Sequence, residues 1–206
     1  MIDRFKKESL LYNSGAQLVI GVDEVGRGPL AGPVVAAAVS FKNNLSEDWW
    51  EQITDSKKLS LKKRDYLYKQ ILQNSSYSFG VASVEEIEQL NILQASLLAM
   101  HRAVNDLLKQ SSESNAFVLI DGRNIIPNLT VKQESIVRGD SLIHSIAAAS
   151  VIAKVYRDKL MQQLAEQFPN YGLENHKGYG TKYHIEAIRK HGLSVIHRSS
   201  FCTNFI

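Results

Sequence analysis

Asp23 and Glu24 stand side by side at the end of an apolar run, Leu18 to Val22, and an arginine between two glycines, Gly26-Arg27-Gly28, follows them. Adjacent carboxylates at the end of a core strand cost stability unless a cation neutralises them. A divalent metal is the usual remedy. Gly-Arg-Gly beside it offers bare backbone amides and a guanidinium fork, both suited to phosphate. Metal next to a phosphate grip points to phosphodiester chemistry. On these residues alone a solvated Asp-Glu pair followed by a glycine turn weighs about as much.

Two further acids fall at element ends. Asp121 follows Phe117-Val118-Leu119-Ile120 much as Asp23 follows Val19-Ile20-Gly21-Val22, and Asp140 sits in Gly139-Asp140-Ser141, where a helix begins. Asp140 could serve there as a plain N-cap. Strands of one sheet can bring such distant positions together, and clustered carboxylates repel, which raises their pKa values in an empty site. Hard oxygen ligands suit Mg²⁺ or Mn²⁺ and not zinc. Two such ions, roughly 3.5–4 Å apart, can hold a scissile phosphate, activate a water and stabilise the leaving oxygen. Asp158 is set aside: along a continuous helix it lies about 27 Å beyond Asp140, and a pairing with Lys154 or Arg157 suits it better. One conflict stands in the pattern. Neighbouring strand residues point to opposite faces, so Asp23 and Glu24 cannot both face one site from a regular strand. Either the strand breaks between Gly21 and Gly26, or one of the pair contributes differently, for example through its backbone carbonyl.

The elements that must position these groups can be read from periodicity. Strands are expected at Leu18 to Asp23 and Val34 to Phe41, joined by a shaped turn over Gly26 to Pro33, and further strands at Tyr77 to Val84, Ala116 to Ile120 and about Ser135 to Val137. Helices are expected over Ser60 to Gln73 with Ser60 as N-cap, over Val84 to Lys109 as one or two pieces, from Ser141 to about Phe168, and over Thr181 to His191. The small run Ala147-Ala148-Ala149-Ser150 lets the third of these lie close against a sheet. This order argues for one α/β or α+β domain spanning residues 1–206, with a helical C-terminal subregion from about residue 170. Hydrophobic residues make up 44% and charged residues 22% of the 206, the balance of an ordinary soluble chain. The N-terminus lacks a signal-peptide core, no apolar run reaches membrane-spanning length, and the single Cys202 excludes a disulfide framework or Cys-rich zinc site. A cytoplasmic protein without membrane contact is expected. Net charge of +3 identifies no partner, but from Asn170 onward five Lys/Arg (177, 182, 189, 190, 198) face two acids (174, 186), which leans toward nucleic acid.

At this point several blocks coincide. They are Gly21 through Pro33, Asp55-Ser56-Lys57-Lys58-Leu59, Ile120-Asp121-Gly122, Gly139-Asp140, Ser145 through Asp158, Gly178-Tyr179-Gly180-Thr181 and His197-Arg198-Ser199-Ser200-Phe201. In this combination the chain resembles ribonuclease HII, the type 2 ribonuclease H of bacteria, over nearly its full length. The resemblance implies a ribonuclease H-like mixed sheet flanked by helices, with a small helical C-terminal extension. It implies metal-dependent hydrolysis of RNA in RNA–DNA hybrids, and nicking 5′ of single ribonucleotides in duplex DNA that leaves 3′-hydroxyl and 5′-phosphate ends, as in ribonucleotide excision repair. Carried over by position, Asp23, Glu24, Asp121 and Asp140 are the metal-binding acids. Gly26, Arg27 and Gly28 read the 2′-hydroxyl, and Tyr179 packs on the next deoxyribose. Lys57 and Lys58, beside Asp55-Ser56 and a helix start, are phosphate-contact candidates, and His176 and His197 are possible phosphate neighbours. His144 is expected to be a packed structural histidine, Cys202 a buried bystander, and Phe201 to Ile206 core or fraying tail. A monomer is expected. The related type III enzymes carry an extra N-terminal domain, and fewer than twenty residues precede Leu18, which disfavours that class. Two rivals remain: a resolvase-like nuclease of the same fold, which would lack the Gly-Arg-Gly and Gly-Tyr-Gly-Thr pair, and a non-catalytic hybrid-binding module, which would lack a complete acid set.

Overall fold

The computed structural model describes residues 4–41 and 48–206, all with side chains except Lys58. Five strands form one sheet in the order β3-β2-β1-β4-β5: β1 (Leu18–Val25), β2 (Val34–Ser40), β3 (Ser76–Ala82), β4 (Ala116–Asp121) and β5 (Lys132–Ile136). The first three run as an antiparallel meander, while β4 and β5 lie parallel to β1. Around them stand α1 (Lys6–Asn13), α2 (Leu61–Asn74), α3 (Val84–Leu90), α4 (Ile92–Gln110), α5 (Gly139–Leu142), α6 (His144–Gln167), α7 (Leu173–His176), α8 (Lys182–His191) and α9 (Ser199–Cys202).

Every residue of β2 is buried, because helices cover the sheet on both faces and polar alternation has no place there. On one face Leu18, Ile20, Val22, Ala36 and Ala38 pack against Ala95, Ala99, Ala103 and Leu107 of α4. On the other, Ala37 and Val39 pack with Ala147 to Ala149, Val151 and Ile152 of α6. The small residues of α6 do what the sequence suggested. A Cβ at Gly21 would lie 2.3 Å from the Ser145 carbonyl carbon, so the helix rests directly on β1.

Element limits differ from expectation where a side chain overrides the apolar pattern. The first strand continues through Glu24 to Val25. The third ends at Ala82, because Ser83 caps α3 in a capping box with Glu86. Asn91, at φ 69°, splits the long helical run and caps α4 with its side-chain oxygen. The helix read from Ser141 is interrupted at Ile143, which is extended (φ −121°, ψ 130°) and separates α5 from α6. The short helices α1 and α7 carried no periodic signal long enough to read.

Helix α1 compensates for that interruption. Ile143 has no side chain able to cap α6, and the buried Glu8 supplies the acceptor instead, taking the Ser145 N–H and hydroxyl, each at 3.0 Å. Next to it His144 stacks on Trp50 with ring centroids 3.6 Å apart, the packed role expected of it, although it does not share a helix with Asp140. The C-terminal helices close over Leu30, Ala31, Met161 and Ala165, with the buried Cys202 and the half-buried Phe205 in the same cluster. Among the described residues no helix is long and apolar enough to cross a membrane.

Burial, with the nearby positive Arg4, lowers the His144 pKa to about 3. A histidine held neutral in the fold favours folding above its ordinary pKa of about 6.5. That contribution shrinks as pH falls from there toward 3, at about 1.4 kcal/mol per pH unit. The His144→Phe variant, which keeps a ring on Trp50, is therefore expected to lose Tm less steeply than the parent between pH 6.5 and 4. Parallel Tm–pH curves for the two proteins would refute this.

Candidate active site

Parallel strands end at the same edge of a sheet, and here that places the acids. The register pairs Val22 with Ile120, so Asp23 and Asp121 follow as neighbours at the carboxyl ends of β1 and β4. Asp121 in turn pairs with Ile136 of β5, and the chain returns three residues later at Gly139-Asp140. The Gly139 N–H donates to Asp121 Oδ1 at 2.6 Å, which ties the two segments together. Asp140 is not the N-cap. That position belongs to Arg138 in the left-handed region (φ 59°), and Asp140 lies one residue inside α5.

The conflict between Asp23 and Glu24 resolves without a break in the strand. Val19, Gly21 and Asp23 face α6, whereas Leu18, Ile20, Val22 and Glu24 face α4, as alternation requires. Glu24 still reaches the site because the strand stops just beyond it. Gly26 takes φ 96° and turns the chain, leaving the sheet edge open on both sides. Asp23, Glu24, Asp121 and Asp140 accordingly line one cleft of about 490 Å³, together with Gly26, Arg27, Gly28, Lys57 and Tyr179.

The electrostatics of the cleft are those of crowded anions. Asp23 is held well above the ordinary carboxylate range by burial first, then by the charges of Glu24 and Asp121. A hydrogen bond from the Ser150 hydroxyl and the Glu24 N–H, 2.7 Å from Oδ1, only partly offset this. Burial also raises Glu24, against the opposing Arg27 guanidinium at 3.1 Å, and raises Asp121, where Asp140 adds repulsion. Among the described residues no three of these groups stand as ready-made ligands of one ion. The donor set nevertheless fits a hard divalent cation: all four groups are carboxylates on one cleft, and three have pKa values raised by burial and by neighbouring carboxylates.

The loop between β1 and β2 is held by two arginines for which the sequence alone suggests no such part. Arg157 and Arg198 are both fully buried. Arg157 donates to the carbonyls of Pro33 (3.0 Å), Ala31 (3.1 Å) and Lys177 (3.0 Å). Arg198 donates to those of Gly26 (2.6 Å), Arg27 (3.0 Å) and Gly32 (2.7 Å). Asp158, expected to pair with Lys154 or Arg157, pairs with Lys154 at 2.8 Å and lies 4.0 Å from Arg64. Arg157 is left to the loop. At Gly26 a Cβ would meet Arg157 Nε at 2.3 Å, so the fold itself demands glycine there. Gly28 is different. A Cβ there would meet only Tyr179, at 3.9 Å, so packing does not require glycine at this position.

Lys57 is exposed at the rim, in a short turn whose cap is Asp55, and the Lys58 side chain lies outside the described residues. Tyr179 is 42% exposed. His176 and His197 turn away from the cleft into the C-terminal helices, where their ring nitrogens meet Tyr171, Gly178, His184 and Ser194.

Two outcomes follow from this geometry. Asp23→Asn removes one charge from a buried anionic cluster and is expected to raise Tm in metal-free buffer; a lower Tm would show that the crowding costs the fold nothing. Arg198→Lys replaces a fork by a single nitrogen and leaves buried carbonyls unpaired. At about 1–3 kcal/mol for each group left unsatisfied, a clear drop in the urea midpoint is expected. An unchanged midpoint would mean that Arg198 does not hold the loop.

A family model described as Ribonuclease HII matches residues 20–204. A ribonuclease HII of Fusobacterium nucleatum is 53% identical over 192 residues, covering 93% of this chain and 88% of that protein. Among solved structures, ribonuclease H2 from Pyrococcus horikoshii OT3 superposes with a TM-score of 0.71 at 22% identity, covering 92% of this chain and 97% of that one. A Bst-RNase HIII in complex with Mn²⁺ superposes with a TM-score of 0.67 at 18% identity, covering 92% of this chain and 66% of that one. The mixed five-stranded sheet flanked by helices is the fold these neighbours share.

Proposed function

This chain belongs to the ribonuclease HII family and is a ribonuclease H, and from that premise we propose that it is a divalent-metal-dependent endonuclease that reads single ribonucleotides. It hydrolyses RNA in RNA–DNA hybrids and nicks duplex DNA on the 5′ side of an embedded ribonucleotide, leaving 3′-hydroxyl and 5′-phosphate ends. The observation that carries this reading is the sharing of one cleft by four carboxylates and by an open-sided Gly28 facing Tyr179.

Asp23, Glu24, Asp121 and Asp140 would hold Mg²⁺ or Mn²⁺, two ions in all. Bound there, the metal supplies an activated water and stabilisation of the leaving oxygen. The protein's own groups do the recognition. The 2′-hydroxyl, both donor and acceptor, distinguishes RNA from DNA, and backbone at Gly28 can approach it because no Cβ intervenes. Arg27 is half exposed although its partner Glu24 is not, so its guanidinium can reach from the cleft edge to a phosphate. Lys57 and Lys58 add phosphate contacts at the rim. Tyr179 packs on the following deoxyribose, where a second 2′-hydroxyl would crowd the ring. The helical part from about residue 170 belongs to this same catalytic domain, and the enzyme acts as a monomer in the cytoplasm.

The test is a nicking assay on a duplex with one ribonucleotide and on a continuous hybrid, with Mg²⁺, with Mn²⁺ and with chelator. Cleavage of both substrates only with metal, with the single-ribonucleotide product ending in 3′-hydroxyl and 5′-phosphate, is expected. Cleavage in chelator, or none at the single ribonucleotide, would overturn the reading. An aromatic–nucleoside contact is worth on the order of 1–3 kcal/mol, so Tyr179→Ala should lose roughly 10- to 100-fold in kcat/KM on the single-ribonucleotide substrate. Tyr179→Phe should keep most activity.

A further inference from the structure

Tyr179 combines an exposed ring with a backbone fastened to buried groups, although glycines flank it on both sides. Its N–H donates to the His176 carbonyl at 2.9 Å. Its carbonyl receives the Thr181 N–H at 2.8 Å and lies 2.9 Å from His184 Nδ1. Behind His184 stands His197, with Nε2 to Nε2 at 3.2 Å, and the Ser194 N–H reaches His197 Nδ1 at 3.0 Å. Both rings are buried.

This chain of contacts permits one arrangement of protons. A backbone N–H can only donate, so His197 Nδ1 is bare and its proton sits on Nε2. That proton points at His184 Nε2, which must therefore accept. The proton of His184 is left on Nδ1, where it donates to the Tyr179 carbonyl. The Ser194 hydroxyl, 2.9 Å from His197 Nδ1, adds a second donor to the same nitrogen. His176, stacked on His184 at 4.4 Å, is fixed in the same manner. Its Nδ1 accepts the Gly178 N–H at 3.3 Å, and its Nε2 donates to the Tyr171 carbonyl at 2.9 Å.

We propose that His197 and His184 form a tautomer-locked relay, running from the Ser194 amide to the Tyr179 carbonyl, that acts as a positioning device for junction reading. The relay touches neither substrate nor metal. It sets the direction in which Tyr179 presents its ring, so it governs how sharply a single ribonucleotide is preferred over a continuous hybrid. The proposal rests on the reading of Tyr179 given above.

Two variants and one spectrum test it. His184→Asn places an amide donor near the position of Nδ1, whereas His184→Leu fills the space and donates nothing. The ratio of kcat/KM on a single ribonucleotide to that on a continuous hybrid is expected to stay near the parent value for His184→Asn. For His184→Leu it should fall about 3- to 10-fold, the weight of one hydrogen bond, with hybrid cleavage little changed. A parent-like ratio for His184→Leu, when Tyr179→Ala lowers it, overturns the relay while leaving the Tyr179 reading intact. An unchanged ratio for Tyr179→Ala instead removes the reading on which the relay depends. Nitrogen-15 NMR of the parent protein's imidazoles needs no variant to fold. It should find His184 protonated on Nδ1 and His197 on Nε2, and the opposite tautomer in either ring would overturn the proposal.

Discussion

Two guanidinium groups buried against backbone carbonyls hold this site together. A loop such as Gly26 to Pro33 cannot use sheet pairing throughout, yet much of it lies inside the protein, where every bare carbonyl is costly. Arg157 and Arg198 answer that need with the five-donor fork that lysine lacks. Burial lowers their pKa values to about 10 and about 9, and for Arg198 the neighbouring Arg157 lowers it further, so both remain cations at neutral pH. Arg157 comes from α6 and Arg198 from the segment before α9, and Arg157 also binds the carbonyl of Lys177, two residues before Tyr179. The Gly26-Arg27-Gly28 loop, the segment that carries Tyr179 and the long helix under the sheet are thereby fixed to one another.

A different set of contacts explains how an anionic cluster survives at the edge of a tightly packed sheet. Asp23 is nearly inaccessible, and its neighbours raise its pKa instead of relieving it. Its local compensation comes from dipoles, the Ser150 hydroxyl and the Glu24 amide. Ser150 reaches it only because α6 lies so close to β1, and that approach depends on Gly21 and on the alanines of the helix. Packing on one face of the sheet and charge at its edge are parts of one arrangement.

Much of this was legible in the sequence, and the limits have physical causes. Asp121 could be read because four apolar residues of a doubly covered strand precede it, and β4 places it where that pattern predicts. The side chain of Glu24 could not be placed, because strand alternation sends it to the α4 face and nothing in the sequence says that the edge is open on both sides. The interruption before α6 was invisible, since isoleucine is at home in a helix and the missing cap comes from Glu8, more than a hundred residues away. Asp140 looked like a cap for the same reason: the residue that takes that role, Arg138, does so through a left-handed backbone and not through its side chain. In the sequence Arg157 offers itself only as a partner for Asp158, and Arg198 as one of the charges that lean toward nucleic acid. Only the fold shows that their partners are carbonyls, which any residue type supplies.

The span of these contacts also bears on the order in which a ribosome delivers the parts. The Gly26 and Arg198 partners are separated by 172 positions. All four acids, and the strands and helix that carry them, leave the ribosome before Arg198 does. A nascent chain can thus assemble its sheet while the loop after β1 still lacks one of the two forks that fasten it. The four carboxylates of the cleft are thus all synthesised before the second clamp on the Gly26-Arg27-Gly28 loop.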